Sequence, residues 1–289
     1  MFSVGGLRPL ILVIVVLAAL GVWMFSEAPE EFSREEKIVV AVSIPPMAEW
    51  VERVGGEKVR VVVLVPRGAN PHIYEPSPSK IVEASRAKIL VLVGLGFERW
   101  ADEVLEVNRK AYIIRVADLA EPLMVNGKPD PHMWLSPRIA VKVIPEIEQA
   151  LSKVDPENSE YYRVRMEKYV EELRKLDLEI SAKLSELKVR KFFVLHPAWR
   201  YFARDYGLEQ VAILEHEDAS ASHLAKLVDE AKALKVRVVF AEPWCSRELA
   251  EILADEVGCE IRFLDPLAPD YAENLRVSAY RIAEALGGR

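Results

Sequence analysis

Residues 161–187 contain neither proline nor glycine, and Tyr162, Tyr169, Val170, Leu173, Leu176, Ile180, Leu184 and Leu187 recur along them at helical spacing. A single helix of that length runs about 40 Å at roughly 1.5 Å per residue, enough to cross a whole domain. Asp155-Pro156-Glu157 supplies its start signal. On either side the pattern changes. Short β-branched or aliphatic runs at 37–42, 59–65, 89–93 and 111–115 alternate with helical stretches at 46–54, 79–87 and 97–107. The alternation restarts beyond the long helix, with strands at 192–195 and 260–264. Such alternation predicts parallel sheets wrapped by helices. The halves also echo each other. Pro45 leads to Gly55 through an apolar-periodic helix, and Pro197 leads to Gly207 over the same interval; the stretch from Ser79 to Val93 is echoed from Ser222 to Phe240. The expected fold is α/β: two similar βα lobes, 37–154 and 190–289, joined by a long connecting helix at 155–189.

The termini and charge narrow the function. A net charge of −7 argues against nucleic-acid binding, which needs a basic face. Residues 10–25 are apolar throughout, with Arg8 before them and Glu27, Glu30 and Glu31 after them. The run exceeds a typical signal-peptide core and falls just short of the roughly 18 residues of a spanning helix. Its flanking charges place the N-terminus in the cytoplasm and everything downstream outside. No cysteine near its end offers a lipid attachment point, and the small-residue cleavage pattern is poor. Residues 1–36 therefore read as an uncleaved membrane anchor with an acidic tether, a cleaved signal being the alternative. Cys245 and Cys259 flank a helical stretch at 246–257. About 18 Å of helix lies between them, beyond the roughly 7 Å that disulfide Cα atoms tolerate. Two buried free thiols are expected.

Four metal-competent side chains stand in four local motifs. They are His72 in Asn70-Pro71-His72-Ile73-Tyr74-Glu75-Pro76, His132 in Asp130-Pro131-His132-Met133-Trp134, His196 in Val194-Leu195-His196-Pro197, and Asp265 in Leu264-Asp265-Pro266-Leu267. The chain has only five histidines, so three of them fall in this pattern. Successive members lie roughly 60 to 70 positions apart, too far for a local finger, so only the fold can bring them together. Three of them follow strands, and ligands in open α/β sheets collect outside the carboxyl ends of strands. Two come from each lobe, which puts the metal in the inter-lobe cleft. A proline beside each one limits loop entropy. Taken singly, each has an ordinary structural reading, and the case rests on the joint pattern. Three imidazoles and a carboxylate form a tetrahedral set suited to zinc. Imidazoles of ordinary pKa, near 6.5, would lose their metal below about pH 6.

Together with Phe240-Ala241-Glu242-Pro243, these motifs resemble those of the metal-binding receptors of ABC transporters for zinc and manganese, the ZnuA/TroA-like solute-binding proteins. The resemblance covers about 38–289. It implies two α/β lobes joined by a long helix, and metal ligation by His72, His132, His196 and Asp265. It also implies an extracytoplasmic monomer that binds Zn2+ with high affinity and delivers it to a permease with its cytoplasmic ATPase; Mn2+ or broad divalent uptake is the alternative. The chain departs from many zinc members in having no His-rich loop at 124–130. A zinc hydrolase is the reading from another class. Four protein ligands would fill the position that catalytic zinc keeps open for water, and no His-Glu-x-x-His motif occurs. An adhesion protein with structural metal is a third. Outside the set, His216 reads as a loop residue, His223 as an exposed helix start, and Glu242 as a supporting carboxylate. Trp134, Trp199 and Trp244 read as packing around the cleft.

Overall fold

The aliphatic runs become strands buried on both faces, as parallel sheets covered by helices require. Val40, Ala41, Val42, Ile89, Leu90 and Val91 are all fully enclosed. A computed structural model describes residues 36–213, 228–229 and 231–287. The anchor reading of 1–36, apart from Glu36, and the readings of His216 and His223 lie outside the described residues.

The first lobe runs β1 (Ile38–Val42), α1 (Pro45–Gly55), β2 (Val59–Val63), α2 (Pro78–Ala84), β3 (Ile89–Leu92), α3 (Ala101–Val107) and β4 (Tyr112–Arg115). Its sheet is parallel, in the order β2-β1-β3-β4. A small hairpin follows, β5 (Met124–Val125) and β6 (Lys128–Pro129), turning through Asn126 and Gly127 at φ 50° and 77°. Positive φ at both central residues is the Asn-Gly hairpin turn. Next come α4 (Pro137–Val154) and α5 (Ser159–Ser185), then the second lobe: β7 (Lys191–Val194), α6 (Arg200–Asp205), β8 (Glu209–Ala212), β9 (Val238–Ala241), α7 (Arg247–Val257), β10 (Glu260–Phe263) and α8 (Tyr271–Ala285). The second sheet is also parallel, in the order β10-β9-β7-β8. In each lobe the first strand lies between the second and the third. The repeat read in the sequence is thus a repeat of topology.

Helix α5 is the long connection. Tyr162, Tyr169, Val170, Leu173, Leu176, Ile180 and Leu184 form its buried stripe, the residues its spacing had singled out except Leu187, which is buried just past the helix end. Polar contacts pin its middle and its C-terminal third. Tyr169 Oη donates to Glu49 of α1 at 2.8 Å, and Arg53 of α1 pairs with Glu172. Further along, Arg276 of α8 pairs with Glu179 at 3.0 Å. Residues 37–289 accordingly cluster as one compact unit.

Two helices, α4 and α8, are absent from the sequence reading. Helix α4 starts on Ser136, whose Oγ accepts the Ile139 N–H at 3.2 Å, and continues through Pro145. Its buried stripe (Ile139, Ala140, Val143, Ile144, Ile147, Ala150, Leu151) outweighs the proline's missing donor. The cysteines are free, as expected, but only half-buried rather than buried.

Packing of α5 should dominate stability. Leu173→Ala, in the buried stripe, is expected to lower unfolding free energy by about 2–5 kcal/mol, and Leu178→Ala, on the exposed face, by less than about 0.5 kcal/mol. Urea unfolding of the two variants beside the parent checks the difference.

Candidate metal site

Three of the four motif side chains meet. The Nε2 atoms of His72, His132 and His196 form a near-equilateral triangle, with separations of 3.1 Å from His72 to each of the others and 3.0 Å between His132 and His196. Among the described residues they are the one group of three or more His, Cys, Asp or Glu whose ligand atoms all lie within 4.8 Å of one another. His72 lies in the connection after β2, and His196 lies two residues past the end of β7. His132 sits at the start of a short helical turn, Met133–Leu135, that leads into α4. The site therefore draws on both sides of α5.

Local turns aim these residues. The His72 N–H donates to Asn70 Oδ1 at 3.0 Å, and the His132 N–H to Asp130 Oδ1 at 2.9 Å. The Leu267 N–H does the same to Asp265 Oδ1, also at 2.9 Å. Each is an Asx turn built on an Asx-Pro-Xaa tripeptide, in which proline restricts the backbone and the side-chain oxygen takes the amide two residues on. The roles of Asn70 and Asp130 escape the sequence reading, although the Asx-Pro tripeptide shared by 70–72, 130–132 and 265–267 signals a turn at each.

Asp130 does more than turn the chain. Its Oδ1 also accepts a hydrogen bond from His132 Nδ1 at 2.7 Å, which puts the imidazole proton on Nδ1 and leaves Nε2 as a bare lone pair facing the other two rings. Burial pushes the Asp130 carboxyl pKa up. The bonds from His132 and the Arg200 guanidinium, 3.4 Å away, outweigh this and hold it below the usual carboxylate value. The Asp130 carbonyl accepts Tyr201 Oη–H at 2.7 Å, so two residues of α6 grip the His132 loop from the second lobe. Trp134 Nε1 donates to the Pro266 carbonyl at 2.7 Å, a further tie across the cleft. Phe97 packs edge-on to His72 at 5.3 Å between centroids and against Trp134 at 5.4 Å, walling the site with aromatic surface.

This environment disfavours the charged form of His72 and His196. Burial, reinforced by repulsion from His132, lowers the His72 pKa to about 3. The same causes, with Arg200 adding repulsion, drive His196 well below its ordinary value. Three imidazole nitrogens that converge at 3.0–3.1 Å suit a cation. Zinc–nitrogen bonds of about 2.0–2.1 Å in tetrahedral geometry separate donor atoms by roughly 3.3 Å.

The other candidates stand apart. Asp265 follows β10, outside the close histidine group; its Oδ2 accepts Arg67 Nε at 3.2 Å. Glu242, next after β9, is enclosed and interacts with the His196 backbone N–H, while burial pushes its carboxyl up to about 8. A protonated carboxyl is a poor ligand, so Glu242 supports the backbone beneath His196. Trp199 is enclosed beside Phe202, and Trp244 packs against the core.

A family model described as the zinc-uptake complex component A, periplasmic (ZnuA), matches residues 40–285. The chain belongs to that family. It is 29% identical over 255 residues to the high-affinity zinc uptake system protein ZnuA of Bacillus subtilis, covering 81% of this chain and 80% of that one. With the zinc-binding lipoprotein AdcA of Streptococcus pneumoniae it shares 28% identity over 273 residues, 88% of this chain but 54% of AdcA, so it spans about half of that relative. A solved structure described as the crystal structure of ZnuA superposes with a TM-score of 0.83 at 39% identity, covering 87% of this chain and all of the other. The family is one of periplasmic zinc-binding receptors, with parallel-sheet lobes and a long helix.

Because Asp130 fixes the His132 tautomer, Asp130→Asn is expected to weaken zinc binding on the order of 10- to 100-fold with the fold intact. Competition titration against a chelating dye, with circular dichroism as the control, checks this.

Proposed function

We propose that the chain is an extracytoplasmic receptor that captures one zinc ion in the cleft between lobes 37–154 and 190–289 and delivers it to the permease of an ABC importer driven by a cytoplasmic ATPase. The observation that carries this reading is the triangle of His72, His132 and His196 nitrogens, with its tautomer set by Asp130. His72, His132 and His196 supply three borderline nitrogen donors, and Asp265 the fourth, oxygen donor from the second lobe. Zinc accepts such a tetrahedral set readily; manganese favours more, and harder, oxygen ligands. The ion is cargo rather than a resident catalyst. With four protein ligands no position is kept for a reacting water, and the reading is of a binding protein rather than a hydrolase. Residues 1–36 serve as the membrane anchor, which keeps the receptor beside its permease.

Substituting a ligand with a harder donor tests the assignment. His196→Glu is expected to weaken zinc binding and to narrow the zinc-over-manganese ratio, while the parent binds one zinc per chain. Metal analysis and parallel titrations with both ions provide the readout. A variant with parental affinity for both would remove His196 from the site.

The pH response follows from burial. The expectation of metal loss below about pH 6 assumed ordinary imidazoles, whereas His72 sits at about 3 and His196 is also lowered. Protons at these two residues therefore compete only at lower pH, and zinc affinity should change little between about pH 7 and 6. Metal-free stability should instead fall as pH drops from about 6.5 toward 3, because the unfolded chain takes up protons that the folded chain refuses. Titrations and urea melts at pH 7, 6 and 5 test both. A tenfold loss of affinity between pH 7 and 6 would contradict the lowered imidazoles.

A further inference from the structure

Both oxygens of Asp265 are engaged. Oδ1 takes the Leu267 N–H within its own Asx turn, which fixes the plane of the carboxylate. Oδ2 is then the oxygen left for an outside partner, and Arg67 Nε reaches it from the opposite lobe at 3.2 Å. Arg67 is placed there by a tight turn: the Ala69 N–H donates to the Pro66 carbonyl at 3.3 Å, and Gly68 takes φ +80°, which side-chain-bearing residues rarely adopt. The same connection, leaving β2, carries His72 five positions later. One loop thus delivers an imidazole to the histidine triangle and a fixed positive charge to the carboxylate.

The two partners differ in freedom. The Arg67 side chain is 65% exposed, that of Asp265 only 12%. An exposed guanidinium swings into water at little cost, so the pair is weak enough to yield to a dication and present enough to oppose it. We propose that Arg67 is a built-in competitor for Asp265: its guanidinium and the bound divalent ion exchange for the same Oδ2, and this competition sets the tightness, the release rate and part of the selectivity of the site. The inference rests on the receptor reading above. Zinc draws most of its binding from three imidazoles, whereas manganese depends more on a hard oxygen. Denying Oδ2 to the ion therefore penalises manganese more than zinc.

The test uses the full chain as parent, Arg67→Gln, Asp265→Asn and the double variant. Zinc and manganese affinities are measured by competition titration, and zinc release by rapid mixing with a chelator. Melting of each metal-free protein serves as the fold control. Arg67→Gln is expected to tighten zinc by roughly three- to fivefold, as for a partly exposed charge pair, to slow release correspondingly, and to tighten manganese by a larger factor. In the Asp265→Asn background the same change should alter neither affinity as much as twofold. Unchanged or weaker binding in Arg67→Gln overturns the proposal. So does a gain that persists in the Asp265→Asn background, because that signals through-space repulsion of the ion rather than competition for the oxygen. If Asp265→Asn alone leaves both affinities unchanged, Asp265 is not a ligand and the competition does not exist. If the parent binds no zinc, the receptor reading itself fails, a result distinct from all of these.

Discussion

The arrangement turns on the carboxylate of Asp130, a charge buried almost completely inside a loop that both lobes hold. Enclosing a carboxylate is costly unless its lone pairs are filled, and here the backbone and Nδ1 of His132 and the Arg200 guanidinium fill them. Each bond has a structural consequence. The backbone bond shapes the turn, the Nδ1 bond fixes which nitrogen faces the cleft, and Arg200 ties α6 of the second lobe to a loop of the first. Replace the charge with an apolar group and the His132 ring is free to flip or to change tautomer. The triangle of nitrogens would then lose its shared vertex.

That triangle is unfavourable by itself. Ring nitrogens about 3 Å apart repel wherever two lone pairs face each other, a proton can bridge only some of the three contacts, and burial removes the water that would separate them. Protonation would relieve the repulsion, yet burial disfavours the charged ring, as the lowered pKa values of His72 and His196 record. A cation relieves all three contacts at once. Holding the nitrogens together in advance needs a scaffold that does not relax, and α5 is suited to this: it is pinned to α1 through Tyr169 and Glu172 and to α8 through Glu179.

Much of this was legible in the sequence, for identifiable reasons. The buried stripe of α5 is periodic and uninterrupted, so its burial could be read residue by residue. The strands of both lobes are short β-branched or aliphatic runs bounded by turns, and their repeat survived as identical strand order. The histidines stood out because they are scarce and each sits beside proline. Helix α4 was obscured because Pro145 breaks a local rule that the helix's buried face overrides. Asp130 was hidden differently. Within Asp130-Pro131-His132 only the histidine looks like a ligand, and nothing in one tripeptide reveals that the aspartate turns back onto the ring. The contacts of Arg200, Tyr201 and Arg67 with the opposite lobe depend on how the lobes dock, which local patterns do not encode.

Two carboxylates in similar turns therefore do opposite work. Asp130 and Asp265 both open an Asx-Pro tripeptide, and both accept the amide two residues on. Asp130 spends its remaining capacity inside the protein, on His132 and Arg200, and its 2% side-chain exposure leaves it no route to solvent. Asp265 gives Oδ2 to a long, mostly solvated arginine of the opposite lobe. A permanently satisfied carboxylate orients a ligand, whereas one satisfied by an exchangeable partner is free to become a ligand. The difference comes not from the turn, which is the same, but from what the opposite lobe sets against the second oxygen.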